Sequence, residues 1–207
     1  MHGVGPAAGD DRPLAHRVAI GVGRFLWDVV VGVSIILLIV VVLFALSGVW
    51  PPFVAIESGS MEPHMSEGDL VFLVDADRYT TYDGIQDTEL VTLEAGGEIG
   101  HLSFGKPGHV IVFSEEGKDY SVIHRIHFWV EEGEDWTERA NPEYLSGVSE
   151  CARISNCPAP HDGFITKGDA NSMYDQVSQD VEIIKPEWIE GRAAIRIPFL
   201  GHLRLSL

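Results

Sequence analysis

Two serines flank one glycine in Ser58-Gly59-Ser60, with Met61 next, inside the stretch VAIESGSMEPHMSEGDLVFL from Val54 to Leu73. A serine hydroxyl is a weak nucleophile until a neighbouring base accepts its proton. That base is a histidine, or a lysine whose charge is suppressed by burial. Of the nine histidines, seven (His2, His16, His64, His101, His109, His161 and His202) fall in tails, loops or strand edges and read as solvated or incidental. His124 and His127 share the apolar segment SVIHRIHFWV. Period-2 alternation places Val122, His124, Ile126 and Phe128 on one face and Arg125, His127 and Trp129 on the other. His124 is therefore the histidine embedded on an apolar strand face. An imidazole held there, screened from bulk water, suits a general base, and the same pattern also suits a satisfied core histidine. Lys106, Lys118 and Lys167 remain alternative bases. The segment TKGDANSMYDQ supplies Asp169 and Asp175, acids of the kind that orients such an imidazole and stabilises its charged form.

These groups need elements to hold them. Residues 29–49, VVVGVSIILLIVVVLFALSGV, carry no charge; as a helix they extend about 31 Å, enough for a bilayer core of about 30 Å. Trp27 and Trp50 bracket the run as interfacial anchors, and Pro51-Pro52 is the expected stop. The run is too long for the apolar region of a cleaved signal peptide. His16, Arg17 and Arg24 before it favour a cytoplasmic N-terminus. The expected organisation is a cytoplasmic tail over 1–24, a membrane anchor over 25–50 and an extracytoplasmic β domain over 51–207. Within that domain LVFLVD (70–75), HVIVFSE (109–115), YSVIHRIHFWVE (120–131), GFITKGD (163–169) and AAIRIPF (193–199) read as strands. Residues 76–105 and 132–162 read as polar, Gly-rich insertions. The fold class is mainly β, a mixed-β domain with long loops behind one transmembrane helix.

Charge narrows the function further. The net charge is −17, and because the charges before residue 50 cancel, all of it falls on residues 50–207. So acidic a surface does not bind nucleic acid by charge. No D-x-[DN]-x-[DN]-G calcium loop is present. Four lysines against 31 acids resembles proteins of salt-loving archaea, or simply a soluble acidic domain. Cys151 and Cys157 can close a disulfide on an extracytoplasmic loop, or remain free thiols. Zinc would need more ligands than nearby His161, so neither a metal nor a cofactor is expected.

Taken together, SGSMEP followed by GDLVFL, then VIHRI, then TKGDAN running on to Asp175, resembles type I signal peptidase. The chain is similar to the archaeal and endoplasmic-reticulum branch, because His124-Arg125 stands where the bacterial branch carries a lysine base. The resemblance implies that Ser60, the serine immediately before Met, is the nucleophile and His124 the base, with Asp169 and Asp175 supplying the acid. It implies that Ser58 helps to hold the oxyanion beside Gly59 and Met61, although a turn-stabilising hydroxyl is an equal reading of Ser58. Ala170 and Tyr174 depart from the usual acidic box, which leaves the separate roles of Asp169 and Asp175 open. The implied partners are preproteins bearing signal peptides, the lipid bilayer and the protein-translocation channel, at a cell membrane crossed once. The competing class is a membrane-anchored β domain that binds or scaffolds without catalysis.

Overall fold

The computed structural model describes residues 14–78, 88–148, 150–178 and 180–202. The chain divides into two compact units, Met1–Leu43 and Phe44–Leu207. The described part of the first is helical: α1 starts at Leu14 and continues to Ser47, in the second unit, and within it the 27 residues Gly21–Ser47 include a window of mean hydropathy 3.4. Phe25, Ile36, Leu37 and Leu38 along it are all more than half exposed. An apolar helix with no polar face has the length and composition to cross a membrane. The expected stop at Pro51-Pro52 comes too late, because α1 ends at Ser47. Gly48 takes φ +80° and its N–H returns to the Phe44 carbonyl at 2.7 Å, a glycine cap that closes the helix first.

The second unit is mainly β. Its elements are β1 (Phe53–Ala55), β2 (Leu70–Val74), α2 (Leu93–Ile99), β3 (Leu102–Ser103), β4 (Lys106–Pro107), β5 (Val110–Phe113), β6 (Val122–Val130), β7 (Gly163–Lys167) and β8 (Ile189–Ile197). Six strands form an antiparallel sheet in the order β1-β2-β8-β5-β6-β7, and β3-β4 is a separate short pair. β5 reads as an unbroken apolar run because both its faces are covered. Val110 and Val112 pack with Ile56, Met65, Val71 and Leu73, while Ile111 and Phe113 pack with Leu90, Ile126, Trp129 and Phe164.

Strict alternation fails in β6. Ile126 pairs with Thr166 but Phe128 pairs with Ile165, so His127 is an extra, unpaired residue. A bulge of this kind shifts the phase of everything after it. Trp129 consequently shares a cluster with Ile126, and Phe128, expected beside Ile126, packs elsewhere with Val130 and Trp136.

Both insertions hold more than loop. The described part of 76–105 contains α2 and β3; residues 79–87 lie outside the described residues. α2 is too short to display a helical period, yet both of its ends are signalled. Thr92 Oγ1 accepts from the Ala95 N–H at 3.2 Å, and Gly100 takes φ +72°. In 132–162 widely spaced apolar residues build a core: Trp136, Leu145, Ile154 and Ala159 pack against Phe128, Tyr174 and Ile183. Trp136 Nε1 donates to the Asn156 carbonyl at 2.8 Å, and a disulfide joins Cys151 to Cys157.

Candidate active site

The serine corner leaves β1 and forms a single tight turn, Gly59–Met61. Met61 is fully buried among Ile56, Met65 and Val71. Its side chain packs in the core and anchors the turn. Above the turn lies the segment 168–171. The Ala170 N–H donates to the Ser60 carbonyl at 2.8 Å, and a Cβ on Gly168 would stand 2.7 Å from that same oxygen. Gly168 is therefore the glycine that close approach demands. At Gly59 a Cβ would meet only the Glu62 side chain, at 3.6 Å. Ser58 Oγ donates to Ser60 Oγ at 3.2 Å on the exposed side of the turn.

His124 projects from β6, opposite Ile111 of β5, and is 8% exposed. Its Nδ1 lies 2.6 Å from Asp175 Oδ2. Ser58, Ser60 and His124 line one cleft of about 720 Å³, whose apolar wall includes Val54, Ala55, Val112 and Ile123. Asp175 sits on a tight turn after β7, fixed by Thr166 Oγ1, which donates to Oδ2 at 2.8 Å. An imidazole with one nitrogen on a carboxylate and the other ring edge toward a serine-lined cleft can accept a proton from a hydroxyl.

Asp169 serves a different group. Arg125, fully buried, donates through Nε and Nη2 to its two oxygens at 2.9 and 2.7 Å. Nη1 of the same guanidinium reaches the Ser103 and Gly108 carbonyls at 2.9 and 2.6 Å. Lys106 Nζ stands 3.3 Å from Asp169 Oδ1 and His64 Nδ1 3.0 Å from Oδ2. Burial alone would raise the Asp169 carboxyl, but the Arg125 hydrogen bonds and charge, joined by Lys106 and His64, hold it below the usual carboxylate range. Asp169 thereby fastens β6 to the turn that clamps Ser60, and it makes no bond to His124 among the described residues.

The lysines considered as bases are engaged elsewhere, and none lines the cleft. Lys106 is on Asp169, and Lys118 on Glu115 and the Asp180 carbonyl. Lys167 is buried and donates to the Gly168 and Asn171 carbonyls; burial and the Lys106 charge lower its pKa against the pull of Asp169 and Asp175. Two histidines read as incidental have definite surroundings: His64 beside Asp169, and His109, 3% exposed, accepting from the Val91 N–H at Nδ1. Thr166, Gln176 and Gly168 join the site without any spacing signal that marks them in sequence. Thr166, Gly168 and Gln176 each adjoin a residue that the sequence marks, and Lys106, marked as a base, binds Asp169 instead.

No family model matches the chain. It is similar to the signal peptidase complex catalytic subunit sec11 of Aspergillus oryzae, 27% identical over 165 residues that make up 75% of this chain and 65% of the relative. The subunit of the same name from Aspergillus terreus is 26% identical over 165 residues. That of Pyricularia oryzae is 25% identical over 158 residues, covering 75% of this chain and 63% of its own length. The match thus spans a little under two thirds of these curated relatives. Their names are those of the branch to which the serine box, the His124 strand and the acidic box bear their resemblance.

Proposed function

We propose that this chain, similar over three quarters of its length to signal peptidase catalytic subunits, is a membrane-anchored serine endopeptidase that removes signal peptides from secretory preproteins. The observation that carries the reading is the 2.6 Å contact between His124 Nδ1 and Asp175 Oδ2 at a cleft that Ser60 also lines. Ser60 Oγ attacks the scissile carbonyl while His124 Nε2 takes its proton. Asp175 holds the Nδ1–H and stabilises the imidazolium that forms. The imidazolium then protonates the leaving amine, and water hydrolyses the acyl-enzyme by the same route in reverse. By the resemblance, the Ser60 N–H and the Ser58 hydroxyl, which lies 3.2 Å from Ser60 Oγ, receive the oxyanion; removing one such donor costs about 10²- to 10³-fold in kcat.

The setting agrees with this substrate. Between Trp50 and Ser60 the chain can extend at most about 33–36 Å, so a single-pass helix tethers the serine near the surface where an inserted signal sequence emerges. The apolar wall of Val54, Ala55, Val112 and Ile123 suits small apolar residues before the cut. The preprotein and the bilayer are then the immediate partners, with the N-terminus cytoplasmic and the catalytic domain outside. The relatives' names add assembly with further subunits, and the translocation channel is the remaining expected neighbour.

The full chain in liposomes, given a preprotein, is expected to release a signal fragment. Ser60→Ala and His124→Ala should each remove nearly all of that activity, since nucleophile and base act as a unit. A folded wild-type chain that binds preprotein without cutting it would favour the binding-domain reading instead.

A further inference from the structure

We infer that Thr166 and Gln176 are positioning residues that hold the Asp175 carboxylate against Nδ1 of His124. The inference rests on the catalytic reading of His124 and Asp175 given above. Both residues are fully buried, one in β7 and the other on the turn directly after Asp175.

Backbone groups fix the direction of every bond in the chain of contacts. The Thr166 N–H can only donate, and its partner, 2.9 Å away, is Gln176 Oε1. The Glu182 carbonyl can only accept, and its partner, at 3.0 Å, is Gln176 Nε2. These two bonds orient the amide unambiguously, and the second Nε2 proton then falls on Thr166 Oγ1 at 3.1 Å. A hydroxyl has one proton to give. Having accepted from Gln176, Thr166 directs that proton to Asp175 Oδ2 at 2.8 Å.

Oδ2 is also the oxygen 2.6 Å from His124 Nδ1. A carboxylate can only accept hydrogen bonds, and the Thr166 hydroxyl holds this oxygen in place against Nδ1. Oδ2 therefore accepts the Nδ1–H and leaves Nε2 bare, the form of imidazole that can take a proton from serine. The bonds converge on Asp175: Gln176, oriented by the Glu182 carbonyl and the Thr166 N–H, donates to Thr166, and Thr166 and His124 both donate to Oδ2. No member of this set beyond His124 lines the cleft, so Thr166 and Gln176 act through Asp175.

The test uses the full chain in detergent or liposomes. Thr166→Val keeps the shape and β preference of the side chain and deletes the proton donor. It should lower kcat about 10- to 100-fold, the scale of one hydrogen bond to a charged group, with KM little changed. Thr166→Ser restores the hydroxyl and should recover most of kcat. Nitrogen-15 and proton spectra of histidine-labelled protein, with His124 assigned by its loss in His124→Gln, should show a strongly hydrogen-bonded, slowly exchanging Nδ1–H in the wild type and a weaker, faster-exchanging one in Thr166→Val. Wild-type kcat and an unchanged Nδ1–H signal in Thr166→Val would overturn the inference. So would failure of Thr166→Ser to rescue, which would assign Thr166 to packing alone. If the wild type released no signal fragment, the proposed activity would fall, and the spectra would still decide whether Thr166 holds Asp175 against Nδ1.

Discussion

Two aspartates six residues apart, Asp169 and Asp175, end in different chemistry. One is bound to a guanidinium that is buried on every side, the other to an imidazole at a cleft. Their removal should therefore differ in kind. Asp175→Asn leaves the fold in place and costs turnover, because the amide can present its N–H to Nδ1 and stabilise the wrong tautomer; a loss of order 10⁴ in kcat is expected, with an unchanged melting temperature. Asp169→Asn strips a buried Arg125 of its partner, costing about 3–5 kcal/mol, and should lower the melting temperature by roughly 6–20 °C. Cleavage assays and thermal scans on both variants check this, and a wild-type rate in Asp175→Asn would reverse the roles. Ser60 and His124 were legible because their neighbours are local: a Gly-Ser corner and an alternating strand. The division of labour between the acids was not, since it depends on which strand each meets after the chain has turned back.

The turn 168–171 and the bulge at His127 are the elements that hold these residues, and neither has a sequence signature strong enough to read alone. Gly168→Ala would force its Cβ to 2.7 Å from the Ser60 carbonyl, so the serine turn must move. Activity should drop about 10²-fold, as a displacement of about 1 Å costs, while far-ultraviolet dichroism stays unchanged.

The bulge buries the His127 ring at 4% exposure, edge-on to Tyr174 at 5.3 Å, with no partner for Nε2 among the described residues. Burial, helped by Lys167 and Lys106, lowers its pKa from 6.5 to about 3, and His109 is lowered to about 3 by burial and Arg192. Between those values the unfolded chain binds protons at both sites that the folded chain does not, so stability falls as pH drops below about 6.5. By pH 4.5 each histidine accounts for on the order of 2–3 kcal/mol. His127→Phe keeps the ring contacts and removes the proton site. Its melting temperature should match or exceed wild type at pH 7 and fall less on going to pH 4.5; an equal fall would show that His127 does not contribute. The insertion 132–162 escaped the reading for a related reason. Its apolar residues follow neither a period of two nor of 3.6, and only their joint packing under Trp136 reveals a core.

For the molecule as a whole, hydropathy and strand spacing gave the main outline: one apolar helix, then an antiparallel sheet built from the five runs legible in sequence plus the short edge strand β1. The order of strands in that sheet is a long-range property that no local pattern encodes. Net charge operates at this scale too. With −17 confined to residues 50–207, mutual repulsion reaches across about 30 Å at 0.01 M salt and only about 3 Å at 1 M. The expected outcome is a melting temperature that climbs from 0.05 to 3 M KCl, with cleavage activity following it. A flat profile would leave the peptidase reading intact and remove the one of adaptation to high salt.

Strand order also sets a clock. β8, the last of the strands to be synthesised, is inserted between β2 and β5. The serine turn lies between β1 and β2, whereas His124 and Asp175 belong to the β5-β6-β7 side. A nascent chain still short of Ile189 therefore carries every side chain of the proposed reaction on two sheet fragments with no strand to join them. The proposed site is complete only once β8 has closed the sheet, so a chain cut short of Ile189 should show no cleavage even though it keeps Ser60, His124 and Asp175.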